Sequence, residues 1–107
     1  MFKRKLANLG IPARIVSTDE NKTVIELEIN KPKYKRGQMA VATVSTQEKT
    51  LQGKPIIVSD VVAQGPISEV NGKLVTICSN KSNPIVSRRA AINAKEHATK
   101  VNVKFVP

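Results

Sequence analysis

An Asn-Gly dipeptide between two short runs of alternating apolar residues is the feature that most constrains the fold of this chain. Asn71-Gly72 suits a tight hairpin, because both central residues of a type I′ turn need a positive φ angle. The flanking runs, Ile67–Val70 and Lys73–Ile77, each alternate with a period of two. The sequence therefore predicts that these two runs pair as antiparallel strands.

A second predicted hairpin lies near the start of the chain. Thr23–Ile29 places Ile25, Leu27 and Ile29 on one face and polar residues largely on the other, as in a half-exposed strand. The polar residues before it are typical of a turn, so we expect this strand to pair with Ala13–Ser17.

The middle of the chain is strand-like over a longer distance. Ile56–Val62 is apolar on both faces, which predicts a central strand covered on both sides. Gln64-Gly65-Pro66 is expected to break it from the following hairpin. Two more strands are predicted at Met39–Ser45 and Val101–Val106, and the polar stretch Thr46–Lys54 is predicted to be a hairpin loop.

One helix is predicted between the last two strands. Asn83 or Ser87 can cap its N-terminus, and the helix is expected to run to about Ala98. Ala90, Ala91, Ala94 and Ala98 fall on one side, a small-residue stripe that allows close packing. The opposite side carries Arg88, Arg89, Ile92, Lys95 and Glu96.

The predicted fold is a single, mainly β domain over residues 1–107. Residues 1–12 are interpreted as a basic N-terminal arm or lead-in, followed by elements in the order β-β-β-β-β-β-α-β. Such closely spaced antiparallel strands are typical of a small barrel or strongly twisted sheet, here with one C-terminal helix and a final strand. A chain of 107 residues is long enough to bury a core without metals or disulfides.

The chain has a formal net charge of +10, and this charge is unevenly distributed. Residues 1–36 and 80–107 each carry a net charge of +5, whereas residues 37–79 are neutral. A solvated surface does not need such an excess of one sign. The excess indicates an anionic partner, most often nucleic acid, either DNA or RNA.

The loop between Lys31 and Arg36 is the best candidate for the contact. Lys and Arg neutralise phosphates, and Tyr34 can stack on a base or pack against the ligand. With so few aromatic residues, backbone-directed binding to a duplex or folded RNA fits better than single-strand binding. The predicted nucleic-acid-binding residues are Lys31, Lys33, Tyr34, Lys35 and Arg36, supported by Lys3, Arg4, Lys5, Arg88 and Arg89.

Enzymatic function is not predicted, because the sequence contains none of the phosphate-loop, dinucleotide-binding, C-x-x-C or H-E-x-x-H motifs. Cys78 is interpreted as a small apolar strand residue, and His97, the single histidine, as a residue at the helix boundary. Asp60 lies among apolar residues, where a structural role is expected. No metal, cofactor or small-molecule substrate is predicted.

No apolar run approaches the length of a membrane span, and the basic N-terminus is not followed by an apolar signal region. We therefore expect a cytoplasmic protein without a membrane partner.

An alternative function is a small structural or assembly protein: a coat, decoration or scaffold subunit, or a module that binds an acidic protein. The terminal strand 101–106 is a candidate exposed edge, and Ile92 lies opposite the alanine stripe. These features predict at least a dimer, formed through strand 101–106 or the 88–98 helix. Lys100 and Lys104 argue against edge pairing, because lysines commonly protect an edge.

Overall fold

Six antiparallel strands close into a barrel in the computed structural model, which describes residues 10–29, 36–78 and 83–106. The order around the barrel is β1-β2-β5-β4-β3-β6, and β6 pairs with β1 to close it. This confirms the predicted fold class. The elements are β1 Ile11–Thr18, β2 Lys22–Leu27, β3 Met39–Lys49, β4 Pro55–Asn71, β5 Leu74–Cys78, α1 Arg88–Glu96 and β6 Val101–Val106.

The core is built from the inward-facing residues of the alternating strands. It is aliphatic, and fully burying such a side chain contributes about 1.5–3 kcal/mol. The largest fully buried apolar residues come from four strands and surround the barrel axis: Ile25, Leu27, Val62, Ile67, Val75, Ile77, Val101 and Val103.

The predicted β1–β2 hairpin is confirmed. Ala13 pairs with Leu27 and Ile15 with Ile25, so the buried residues of the two strands share one face. A register shift between Ile15 and Ser17 marks a bulge near the end of β1. Such a bulge increases the local twist, which helps a small sheet to close.

The pairing around Asn71-Gly72 is also confirmed, but the turn differs from the expected one. Asn71 belongs to β4 and pairs with Leu74, so Gly72 and Lys73 are the two central residues. Gly72 has a φ of 62° and is the one residue of this turn with a positive φ. A positive φ at the first central position alone is the pattern of a type II′ turn, for which glycine is preferred.

The predicted break at Gln64-Gly65-Pro66 is wrong, because β4 runs through it for 17 residues. Ile67 donates its N–H to the carbonyl of Gln38 before β3, at 2.9 Å. Neighbouring residues of a strand point their N–H groups to opposite sides, so the nitrogen of Pro66 faces β5. The ladder of β4 with β5 begins at Ile67, so Pro66 removes no bond from it.

The predicted loop 46–54 and the predicted central strand 56–62 are both partly wrong. The β3–β4 ladder continues beyond the barrel wall, where residues 45–49 pair with residues 55–59. Its last pair is Lys49 with Pro55. We call residues 45–59 the hairpin extension. Ile57 is 75% exposed there, so the start of β4 is not covered on both faces.

Helix α1 agrees with its prediction. The Ser87 side chain accepts a hydrogen bond from the Ala90 N–H at 3.2 Å, as an N-cap does. Ala91 and Ala94 are 0% and 2% exposed and pack α1 against the barrel. Ala98 lies beyond the helix with a φ of 50° and is exposed, so the packed stripe ends before it.

Strand β6 is not an exposed edge, which corrects that part of the assembly interpretation. Residues 101–103 pair with β1 on one side, and residues 102–106 pair with β3 on the other. The alternation of this last segment reflects a strand that closes the barrel.

Candidate nucleic-acid interface

The barrel has two ends that differ in the connections they carry. Because neighbouring strands run in opposite directions, every second connection lies at the same end. The N-terminal end, as we call it, holds the start of β1, the end of β2, the start of β3, the β4–β5 turn and the end of β6. The opposite end holds the β1–β2 turn, the hairpin extension and α1, and we call it the helix end.

Hydrogen bonds fix the chain on both sides of residues 30–35 at the N-terminal end. The N–H of Glu28 donates to the carbonyl of Pro12 at 3.0 Å, just after β2. On the other side, the N–H of Gly37 donates to the carbonyl of Ile67 at 2.8 Å. The points where the chain enters and leaves this segment are therefore attached to the barrel.

Arg36 is the one predicted loop cation among the described residues, and it is exposed. Its Nε donates to the carbonyl of Ser68 at 3.1 Å. This bond holds the guanidinium beside β4, at the N-terminal end. The exposed Lys73 of the β4–β5 turn and Lys104 of β6 belong to the same end.

Most of the predicted binding residues lie outside the described residues: Lys3, Arg4, Lys5, Lys31, Lys33, Tyr34 and Lys35. The described residues that flank them, Gly10, Ile29 and Arg36, belong to the N-terminal end. All eight acidic residues and eleven of the eighteen cations are in the described part, which therefore carries a net charge of +3. Six of the remaining seven cations belong to the two segments that leave from the N-terminal end.

Arg88 lies at the helix end, where it connects α1 to the first hairpin. Its Nη1 donates to Oγ1 of Thr18 at 2.6 Å, and Thr18 Oγ1 is 2.9 Å from Oγ1 of the buried Thr23. Arg88 is half-buried. These contacts give it a structural role that its sequence position did not reveal.

The β1–β2 turn beside Arg88 is organised by Asp19. The N–H groups of Lys22 and Asn21 donate to its Oδ1 at 2.9 and 2.7 Å. These two backbone hydrogen bonds, in that order, lower the pKa of Asp19 below its ordinary value of 3.8. The positive charges of Lys22 and Arg88 lower the pKa further.

A groove of about 780 Å³ lies between the hairpin extension and α1, at the helix end. Three carboxylates line it, Glu48, Asp60 and Glu96, together with the guanidinium of Arg89. Its apolar lining includes Val44, Ile92 and Ala94. Asp60 is half-buried here, opposite Val44 in the β3–β4 ladder.

No pattern in the sequence predicts this groove. Glu48 falls in the stretch that was predicted to be a loop, and its side chain joins the others because β3 extends beyond the barrel. Glu96 comes from a helix nearly fifty residues later. Residues from three elements form the groove, and their proximity depends on tertiary structure.

The structure thus brings Arg36 together with the attachment points of both basic segments, and it places Arg88 and Arg89 at the opposite end. Within the described residues, no three His, Cys, Asp or Glu side chains group as a metal site. His97 lies at the helix C-cap, with Nδ1 3.0 Å from the carbonyl of Asn93. No helix in the described ranges is long and apolar enough to cross a membrane.

Comparisons of the chain with protein-family models, curated proteins and solved structures find no match.

Proposed function

We propose that this protein binds nucleic acid without catalysing a reaction, chiefly through phosphate contacts at the N-terminal end of the barrel. The main supporting observation is the attachment of both basic segments, residues 1–9 and 30–35, to that one end. Arg36, Lys73 and Lys104 add exposed cations there. A rigid barrel that presents cationic connections at one end is a common way to position a binding surface.

The chemistry of this end favours contacts with phosphates over contacts with bases. Each neutralised phosphate releases condensed counterions and makes binding salt-dependent, with a slope of log K against log salt of about −0.9 on duplex DNA and −0.7 on single strands. Tyr34 is the one aromatic residue of the loop, and it would stack on a base or pack against the ligand. A duplex or a folded RNA is therefore the proposed ligand.

Arg88 and Arg89 remain predicted supporting contacts, but they lie at the opposite end of the barrel from Arg36, so a ligand must be long enough to reach both ends. The eight residues of β1 span about 26 Å at roughly 3.3 Å per residue. A ligand that contacts Arg36 and these two arginines together has to extend along the barrel. A ligand that binds only at the N-terminal end does not contact Arg88 or Arg89.

A charge-removal experiment tests the proposal. The variant K31A/K33A/K35A/R36A removes four cations from the loop, so we expect the magnitude of the salt slope on duplex DNA to fall by about 3–4. Affinity should fall on every sequence, because phosphate contacts carry no sequence information. Titrations of duplex DNA, single-stranded DNA and RNA at several salt concentrations measure both quantities.

The matched control removes four exposed cations from the helix end, none of them a predicted contact: Lys22, Lys49, Lys54 and Lys95. Both variants have the same net charge, so they differ in where the charge is lost. The proposal predicts a much smaller effect for the control. Equal effects would mean that binding depends on net charge alone, and unchanged binding by the loop variant would show that the loop is not the contact.

A second candidate function, a self-associating assembly subunit, is supported by the hairpin extension. Leu51 at its tip is fully exposed and Ile57 is 75% exposed. The tip is a defined turn, closed by bonds of 2.9 Å from Thr50 N–H to the Lys54 carbonyl and from Gly53 N–H to the Thr50 carbonyl. A two-stranded ribbon is marginally stable in water, and a partner that covered these apolar side chains would stabilise it.

Light scattering across protein concentration tests this second function. The wild-type chain is expected to form at least a dimer, and L51D/I57D is expected to shift the mass toward the monomer. T50D/K54D changes the same turn without removing apolar surface and serves as the control. A wild-type monomer at high micromolar concentration would exclude the assembly function.

A further inference from the structure

We propose that the groove between the hairpin extension and α1 binds the basic N-terminal segment, residues 1–9, of a second copy of this chain. This inference specifies one contact of the self-association proposed above and does not depend on nucleic-acid binding. It would join the helix end of one molecule to the N-terminal end of the next.

The groove is acidic although the protein as a whole is strongly basic. Among the described residues that line it, Glu48, Asp60 and Glu96 are accompanied by one cation, Arg89, so these charges sum to a net negative charge. Glu48 and Glu96 are exposed, and Asp60 is half-buried. A cationic segment bound there would place its positive charges close to these carboxylates. Binding would also remove part of the water between the two surfaces, which strengthens the attraction.

The groove also has an apolar component that a purely electrostatic partner would leave exposed. Ile92 is 45% exposed on the outer side of α1, and Val44 and Ala94 lie deeper in the groove. An amphipathic partner with both bulky apolar residues and cations would cover this surface. Burial of apolar area would then add to the attraction between charges.

Residues 1–9 have this combination of side chains. The sequence Met1-Phe2-Lys3-Arg4-Lys5-Leu6-Ala7-Asn8-Leu9 places three consecutive cations between Phe2 and the leucines. The bulky apolar residues Phe2, Leu6 and Leu9 and the three cations therefore lie close together in the chain. The segment carries no acidic residue that would be repelled by the groove.

The position of Gly10 favours a second copy as the source of the segment. Gly10 precedes β1 at the N-terminal end, where a Cβ at its position would lie 2.9 Å from the Val103 carbonyl oxygen. Nine residues span at most about 30 Å when fully extended. Most of that length would be used along the roughly 26 Å of the eight-residue β1 before the segment reached its own groove. A neighbouring molecule can present the whole segment.

A contact between different surfaces on two identical molecules is heterologous, so each molecule keeps one groove and one segment for further neighbours. The assembly can therefore grow into a ring or an open chain. Within it, Lys3, Arg4 and Lys5 contact the neighbouring groove, and Lys31, Lys33, Lys35 and Arg36 are left for phosphates.

A complementation experiment tests the inference on nuclease-treated protein. One variant lacks residues 1–9 and keeps the groove; the other, E48K/E96K, keeps the segment and reverses two exposed groove charges. Light scattering should show wild-type mass rising with concentration and each variant alone as a monomer, of about 11–12 kDa for E48K/E96K and roughly 1 kDa less for the truncated chain. An equimolar mixture should reach twice the monomer mass and no more, because it has one intact groove and one intact segment per pair.

The controls separate this contact from other modes of association. E20K reverses an exposed charge of the β1–β2 turn, outside the groove, and should associate like the wild type. A labelled peptide of residues 1–9 should bind the truncated protein at least tenfold more tightly than a peptide in which Lys3, Arg4 and Lys5 are replaced by Glu. Circular dichroism establishes that each variant is folded.

Three results would overturn the inference. The first is a mixture that remains monomeric while the wild type associates. The second is association of the truncated or groove variant equal to that of the wild type; loss of association in L51D/I57D would then leave the assembly function standing without this contact. The third is peptide binding by the truncated protein with a monomeric wild type, which would assign the segment to the groove of its own molecule.

Discussion

The arginines at the two ends of the barrel have different surroundings. At the helix end, Arg88 is half-buried, donates to Thr18 and contributes to the attraction that lowers the pKa of Asp19. At the N-terminal end, Arg36 is exposed and bonds to a backbone carbonyl, and the two basic segments attach beside it. Arg88 at the first end links α1 to the first hairpin, whereas Arg36 at the second end lies exposed beside the attachment points of the two basic segments.

The difference shows why a count of basic residues is a poor guide to function. Arg88 and Arg89 are adjacent in sequence, yet one contacts a hydroxyl of the first hairpin and the other lines a groove with three carboxylates. Neither environment is visible in the dipeptide itself. Whether a cation is a candidate phosphate contact depends on the charges and hydrogen-bond partners around it.

The largest expected effect that tests this comparison is a loss of nucleic-acid affinity. At protein concentrations where the chain is monomeric, Lys3, Arg4 and Lys5 are not held in a neighbouring groove. Under these conditions K3A/R4A/K5A should reduce the magnitude of the salt slope on duplex DNA by about 2–3, because each lost phosphate contact removes roughly 0.9. Affinity at low salt should fall by at least about tenfold, or roughly 1.4 kcal/mol. Salt-dependent titrations measure both.

The matched control for this triple variant is K49A/K54A/K95A, which removes three exposed cations from the helix end. A small effect of the control supports the distinction between the ends. If the control lost as much affinity as the triple variant, the two ends would contribute alike and the proposed asymmetry would be wrong.

The next effect concerns the packing of the helix end. Ala91 is fully buried between α1 and the barrel, so A91L adds three heavy atoms where no space is available. Overpacking of this kind costs about 1–3 kcal/mol. Urea denaturation should show a lower midpoint for A91L, whereas I92L on the exposed side of the same helix should change it little. Equal stability of both variants would contradict tight packing at Ala91.

Much of this fold was predictable where a local pattern carried the information. The alternation of 23–27 and the cap at Ser87 identified β2 and α1, because a buried face and an N-terminal donor impose residue types at fixed spacing. The continuity of β4 was not predictable in this way. Pro66 is compatible with a strand only when its nitrogen faces a side with no ladder, and that depends on where β5 ends.

The candidate site was predictable to a lesser degree. The loop cations are evident in the sequence, and Arg36 is exposed as expected. Their common end with residues 1–9 follows from the predicted antiparallel β1–β2 hairpin, which places the start of β1 beside the end of β2. Lys104 belongs to this end because β6 pairs with β1 and β3, which the sequence did not indicate. The groove depends on how far β3 extends past the barrel, and polar residues such as Gln47 and Glu48 suggested a loop there.

A smaller effect is expected from the bond that fastens α1 to the first hairpin. R88A removes the donor to Thr18 Oγ1 at the partly buried helix end, so stability should fall by about 1 kcal/mol. R89A removes the same charge from the exposed neighbour and should change the free energy of unfolding by less than about 0.5 kcal/mol. Denaturant titrations of both variants measure the difference, and equal values would contradict a structural role specific to Arg88.

The smallest effect is expected at Asp19, and it depends on pH. Its pKa is lowered in the folded protein because the N–H groups of Lys22 and then Asn21 donate to the carboxylate. The resulting stabilisation is fully present above the ordinary pKa of 3.8 and is lost as the pH falls through the lower folded value. D19N should therefore be less stable than the wild type at neutral pH, and the difference should shrink in strong acid. The amide oxygen of Asn can still accept these bonds, so the loss is small.

E20Q, which removes a charge from the same turn but keeps the Asp19 carboxylate, is the control. Denaturation curves at neutral and strongly acidic pH decide the point, since a D19N difference that stayed constant with pH would show that the Asp19 carboxylate is not preferentially stabilised in the folded state.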